Sequence, residues 1–322
     1  MVEPARVRAC LESFTTDHDI VRQLHDVAPH AVYEVRVDGR RAICKVTRDA
    51  RGGAPLEGRV LAHVGRETNL PVPEVYWVDE CGFVAEYLET TPPDPLPENR
   101  LTRAWLEGAG RTLARLHNEV TFDRAGLLAV DGDVTDPTTS IAVDAPTDAT
   151  WGDALDALLR LYGSSLEGTR YTTVIDEARE FCARHADRFD GLEARSLLHG
   201  WFTPEHVAIE VGEPVALIDF EHALVGAGEW DFWRTAMPLF LGPAWEGPDE
   251  SQRRFREAYE SVRPLEPGFD DRAEAYRALV AVSHLDSLAT QRGIDDETRA
   301  IADSLEGYVR STLADLEDDW CG

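Results

Sequence analysis

The chain has 322 residues, with 32 basic and 60 acidic side chains, a net charge of −28, and a 43% hydrophobic composition that includes 8 tryptophans and 11 phenylalanines. This is enough apolar material for a sizeable core, and the length predicts two lobes over one small module. The charge argues against nucleic-acid binding and against docking on an anionic membrane, because no surplus of cations is present to displace phosphate counterions.

No apolar stretch approaches the roughly 20 residues of a membrane span. The opening Met-Val-Glu-Pro-Ala-Arg shows no signal-peptide core, so a cytoplasmic location is expected. Cys10, Cys44, Cys81, Cys182 and Cys321 are scattered without a Cys-x-x-Cys pair, which argues against a disulfide framework or a zinc site. Lys45 is the only lysine; every other basic residue is arginine. With the acidity, this composition suggests a halophilic protein, whose surface charge is screened at high salt.

In chain order, Val32–Val37 and Arg40–Val46 flank Asp38-Gly39, a strong hairpin signal that sets Lys45 opposite Val32. Asp26–Ala31 reads as the loop leading into the first strand. Pro55–Val64 reads as a helix, with Glu57 on the same stripe as Val60, Leu61 and Val64. An inward carboxylate needs a partner, since burying it alone is costly. Two further strands, Glu74–Val78 and Phe83–Tyr87, complete an antiparallel lobe over residues 1–89. Residues 90–100 contain four prolines and read as a hinge. Residues 101–322 read as a mostly helical second lobe, with helices near 101–118, 151–162, 174–189, 272–292 and 297–316, and with 131–150 as a loop.

The most informative stretch is Leu197–Glu221. Val207–Val211 and Val215–Ile218 read as a hairpin that places His206 beside Asp219, close to the loop from His199. These residues resemble the aminoglycoside phosphotransferase and choline kinase-like family, which has the protein-kinase fold. The matching segments are His199-Gly200, Ile218-Asp219-Phe220-Glu221, Gly226–Asp231, Lys45 with Glu57, and Pro71-Val72-Pro73, spanning about residues 20–240 in the family's order.

The resemblance implies an α+β bilobal protein-kinase-like fold. It also implies an ATP- and Mg²⁺-dependent phosphoryl transfer to the hydroxyl of an unidentified small-molecule acceptor. Lys45, paired with Glu57, would hold nucleotide phosphates. Asp219 would be the principal metal carboxylate, Asp231 the brace of the catalytic loop, and His199 a scaffold residue of that loop. Two departures matter: Trp201 stands where the family has its catalytic aspartate, and His206 where it has a metal-ligand asparagine. Tryptophan cannot accept a proton, its only polar group being an N–H donor. Glu205 or Glu221 is then a substitute base by proximity alone. His206 is either a metal ligand or a loop histidine, and Glu221 either a second metal carboxylate or a charge after a strand. His63 and His222 read as structural. Two readings stand: an attenuated small-molecule kinase, or a nucleotide- or metabolite-binding pseudokinase acting as a sensor or with a protein partner.

Overall fold

The computed structural model describes residues 4–48, 52–92, 101–132, 140–240 and 250–321. The chain is an α+β protein with a β-sheet amino-terminal region and a helical carboxy-terminal one. The first region runs α1 (Pro4–Phe14), β1 (His18–Val27), β2 (His30–Val37), β3 (Arg40–Thr47), α2 (Ala54–Glu67), β4 (Val75–Val78) and β5 (Gly82–Glu86). Its five strands form one antiparallel sheet in the order β1-β2-β3-β5-β4. The Asp38-Gly39 turn sets the β2–β3 register with Val32 opposite Lys45, as the two-residue hairpin requires.

Strand alternation divides β3 between the two faces of the sheet. Cys44 and Val46 join Val7, Cys10 and Leu11 of α1 in one core, while Ile43 packs with the core that contains Val60, Leu61 and Val64 of α2. Lys45 has the parity of Ile43 and therefore faces α2. Gly82 lets β5 pass close enough, since a Cβ there would lie 2.0 Å from the Lys45 carbonyl oxygen.

The second region contains α3 (Arg103–Glu119), β6 (Gly126–Asp131), β7 (Ser140–Asp144), α4 (Trp151–Ser165), α5 (Thr172–Arg184), α6 (Ala186–Phe189), β8 (Ser196–Leu198), β9 (Val207–Glu210), β10 (Glu213–Leu217), β11 (Leu224–Gly226), α7 (Gly228–Phe240), α8 (Glu250–Glu260), α9 (Ala273–Gln291) and α10 (Arg299–Cys321). β9 and β10 form the expected hairpin, although its tip is Val211-Gly212, one residue earlier than the Gly-Glu-Pro turn read from sequence.

Three expectations are corrected. Asp26–Ala31 does not lead into the first strand; it spans the β1–β2 turn and its flanks. β1 escaped the sequence reading because it lies mostly exposed and has no apolar alternation. Within the stretch read as a loop, residues 140–144 are strand β7, paired with β6 in a four-stranded sheet ordered β7-β6-β11-β8. Five residues are too few to show a period. α7 was also unread: it is nearly all buried, and Pro238 stands inside it as a helix-breaking signal. The proline hinge expected at 90–100 lies outside the described residues from Pro93 onward. No helix among the described residues is long and apolar enough to cross a membrane.

Candidate active site

Lys45 is 6% exposed, and its ammonium is held by three carboxylates. Its Nζ lies 2.7 Å from Glu57 Oε2, 2.7 Å from Asp219 Oδ1 and 3.2 Å from Glu221 Oε2. The pairing expected between Lys45 and Glu57 is formed, and Asp219 and Glu221 join it from the far side of the cleft. Burial opposes the charge on Lys45, but the three carboxylates outweigh it and hold its pKa well above the ordinary lysine range. Burial also opposes ionisation of Asp219, yet Lys45 and His206 hold this carboxyl well below its ordinary range. For Glu221, burial and Asp219 are outweighed by Lys45, His30 and His222, so its pKa is lowered. Glu57 goes the other way. Burial, with Asp219 and Glu221 nearby, pushes it up to about 8, because the single ammonium is shared three ways.

The β9–β10 hairpin sets the other half of the site. The Ile218 N–H donates to the His206 carbonyl at 3.0 Å, so the two strand ends stay side by side. His206 Nε2 lies 3.0 Å from Asp219 Oδ2, and its Nδ1 lies 3.0 Å from the Trp201 carbonyl oxygen. Both neighbours are acceptors, and despite burial Asp219 raises the His206 pKa. Asp219 has φ 68°, an uncommon backbone for a residue other than glycine, and such strain concentrates at functional sites.

The loop from His199 is braced from below. Asp231, fully buried, accepts the His199 N–H at 2.6 Å and the Gly200 N–H at 2.7 Å, and lies 3.2 Å from His117 Nε2. The other His117 nitrogen is 2.8 Å from the Tyr259 hydroxyl. Gly200 has φ 82°, and a Cβ there would meet the His222 carbonyl at 2.2 Å, so only glycine fits. His199 Nε2 lies 2.9 Å from the Ile218 carbonyl oxygen, which makes it the N–H donor, and Nδ1 accepts the Trp201 N–H at 3.3 Å. Burial pushes His199 down to about 4, so it is a neutral spacer between the loop and the hairpin. Asp231→Asn would set an amide N–H₂ against a ring of donors. It is expected to cost about 3 kcal/mol or more of unfolding free energy, read by chemical denaturation, because each lost bond to a buried charge is worth about 1.5–3 kcal/mol. A cost below about 1 kcal/mol would remove the brace role.

Glu205 is solvent-exposed, and no hydrogen bond or ion pair links it to the cluster. Trp201 is half-buried, and its indole packs edge-on against His284 of α9 with ring centroids 5.5 Å apart. His63 packs against Phe122, 5.6 Å between centroids, consistent with a structural role. Two site neighbours were missed from sequence. His222, read as structural, has Nε2 3.3 Å from Glu221 Oε1. His30, the first residue of β2, accepts the Gly53 N–H through Nε2 at 3.1 Å and points Nδ1 at Glu221 Oε2, 2.7 Å away. A surface concavity of about 710 Å³, lined by Thr150, Asp156, Arg179 and Asp190 among others, shares no residue with this cluster.

Ligand oxygens of Glu57, Asp219 and Glu221 lie within 4.8 Å of one another. Clustered carboxylate oxygens suit a hard divalent cation such as Mg²⁺, and one ammonium leaves their negative charge in excess. A β-rich lobe above a helical one, with a lysine, a helix glutamate and a hairpin aspartate converging between them, defines the protein-kinase-like class. The profile of the phosphotransferase enzyme family (APH) matches residues 20–265, and the chain belongs to that family.

Among solved structures, a thermostable mutant of the aminoglycoside phosphotransferase APH(4)-Ia in ternary complex with ADP and hygromycin B is similar at 18% identity and TM-score 0.63, over 95% of this chain and 97% of that one. A Thermobifida fusca protein assigned as a fructosamine-3-kinase is similar at 19% identity and TM-score 0.63, over 96% and 98%. APH(2")-IIa, in complex with streptomycin and ATP, is similar at 16% identity and TM-score 0.58, over 94% and 95%. At these identities the likeness concerns the fold. A search of curated proteins finds no match.

Proposed function

We propose that the chain is a small-molecule phosphotransferase that binds ATP with Mg²⁺ and transfers phosphate slowly, because its loop lacks a base at Trp201. The observation that carries this reading is the placement of Lys45 2.7 Å from both Glu57 and Asp219. A lone lysine in an arginine-rich chain, buried where a compact ammonium meets two lobes, is suited to nucleotide phosphates. Complexes of the structural neighbours with ADP and hygromycin B, or with ATP and streptomycin, support a nucleotide and a small-molecule acceptor as the ligand pair.

In this reading residues 1–89 are the nucleotide lobe, 90–100 the hinge and 101–322 the acceptor lobe. Asp219 holds the metal with Glu221 and His206 beside it, and Glu57 orients Lys45. When bound, the cation neutralises phosphate charge. His199 and Asp231 fix the loop and touch no ligand. Glu205, exposed, is the weakest candidate for a base.

The second reading is a pseudokinase, and a specific observation favours it. His30 reaches from the start of β2 onto Glu221, so side chains fill space close to Lys45. Calorimetric titration with ATP, with and without Mg²⁺ and in multimolar KCl, tests both readings. Mg²⁺-dependent binding with a Kd in the range of about 1 μM–1 mM is expected, matching typical enzyme substrates. An absence of binding across that range sinks the phosphotransferase and leaves, of the pseudokinase readings, only the metabolite-binding one. Binding without any ADP release selects the pseudokinase.

A further inference from the structure

Behind Trp201 lies a cation that the site above does not use. Arg234 of α7 is 1% exposed, and no carboxylate among the described residues lies within ion-pair distance of it. One of its terminal nitrogens donates to the Tyr162 hydroxyl, and its Nε is buried without a partner. The guanidinium carbon stands 5.4 Å from the Trp201 ring, 5.8 Å from Trp230 and 5.9 Å from Tyr162. Against Trp201 from α9 stands His284, whose Nε2 is also buried without a partner. The negative charge of Asp286 acts on Tyr162, and Asp286 has a contact of its own.

The rings do not settle this charge. Three contacts near the roughly 6 Å limit are worth about 0.5–1 kcal/mol each, whereas burying an unpaired ion costs several kcal/mol. A purely structural arginine would be expected to have a carboxylate. The group also lies beside the proposed chemistry, since the Trp201 carbonyl contacts His206, and His206 contacts Asp219. Arg234 acts electrostatically on both His222 and His284, which burial keeps neutral, so two imidazoles with polar nitrogens border it.

The geometry points to an acceptor subsite for an anionic group. Arg234, with His284 beside it, receives a carboxylate or phosphate of the hydroxyl-bearing substrate, and Trp201 turns aside or stacks against it. This rests on the phosphotransferase reading for the position of the acceptor. The unpaired environment of Arg234 among the described residues does not depend on that reading.

The test is thermal unfolding of the full chain at fixed ionic strength with three small probes of similar size: glycerate, glycerol and ethanolamine. The chain's net charge of −28 repels anions in general, so stabilisation by an anion alone requires a built site. Glycerate is expected to raise the melting temperature by on the order of 3 °C, with no shift from glycerol or ethanolamine. Arg234→Met, an apolar side chain of similar length, is expected to abolish the glycerate shift and to melt at or above the wild-type temperature. Arg234→Lys retains the charge and should keep part of the shift if the methionine variant fails to fold. Stabilisation by ethanolamine, no response to glycerate, or an undiminished glycerate shift in Arg234→Met overturns the inference. The ATP titration separates the two readings. Nucleotide binding without an anion response removes only the subsite, and an anion response without nucleotide binding removes only the phosphotransferase.

Discussion

Asp219→Asn is expected to abolish the Mg²⁺-dependent part of ATP affinity, by about 100-fold or more, while leaving the fold intact. The size follows from taking one of the clustered carboxylates away from a divalent cation, a loss of roughly 3 kcal/mol at about 1.4 kcal/mol per decade. The fold survives because asparagine is among the few residues that accept the left-handed backbone, and Asp219 sits at φ 68°. Lys45 keeps Glu57 at 2.7 Å and Glu221 at 3.2 Å as partners, so its charge is not stranded. Titration of the variant with ATP, with and without Mg²⁺ and alongside a denaturation curve, reads both parts. Unchanged Mg²⁺-ATP affinity in a folded variant would remove Asp219 from the metal site.

Trp201→Asp is expected to leave nucleotide affinity within about threefold and to raise ATP turnover by 10²–10⁴-fold, the usual worth of a positioned general base. The loop should tolerate the exchange. The Trp201 N–H is held by His199 and its carbonyl contacts His206, so the backbone is pinned on both sides independently of the indole. Arg234 is close enough to offset part of the cost of the new carboxylate, since the ring it replaces lies 5.4 Å from the guanidinium carbon. Loss of a half-buried indole should cost about 2 kcal/mol, below the 3–5 kcal/mol of a fully buried one, and a denaturation curve would register it. A folded variant that turns over no faster would mean the missing base is not what limits the chain. Wild-type turnover of about 1–100 s⁻¹ on a small alcohol would overturn the attenuated reading itself.

Much of this site was legible because short-range rules place its residues. A two-residue turn sets the register of Lys45, alternation sets its face, and a 3.6-residue period sets Glu57 on the buried stripe of α2. The β9–β10 hairpin brings His206 to Asp219 in the same way. Gly200 and Asp231 were readable as a pair only through the resemblance, since no local period links a loop to a helix thirty residues on. β1 was illegible for want of alternation, β7 because its run is only five residues long, and α7 because Pro238 breaks its pattern.

From the sequence alone come the pairing of Lys45 with Glu57, the meeting of His206 with Asp219, and the absence of an acid–base group at position 201, each of which depends on local geometry or on residue chemistry. The kinase-like fold was legible only through the family resemblance. Only the tertiary structure decided that Glu221 shares the lysine, that His30 reaches Glu221 from the start of β2, and that Trp201 lies against His284 and near an Arg234 with no carboxylate partner among the described residues. Those contacts join segments far apart in the chain, and the residues carry no mark of them in their own neighbourhoods. An arginine in a helix looks the same in sequence whether its charge meets water, a carboxylate or neither. What distinguishes the three is desolvation, which depends on everything packed around the group.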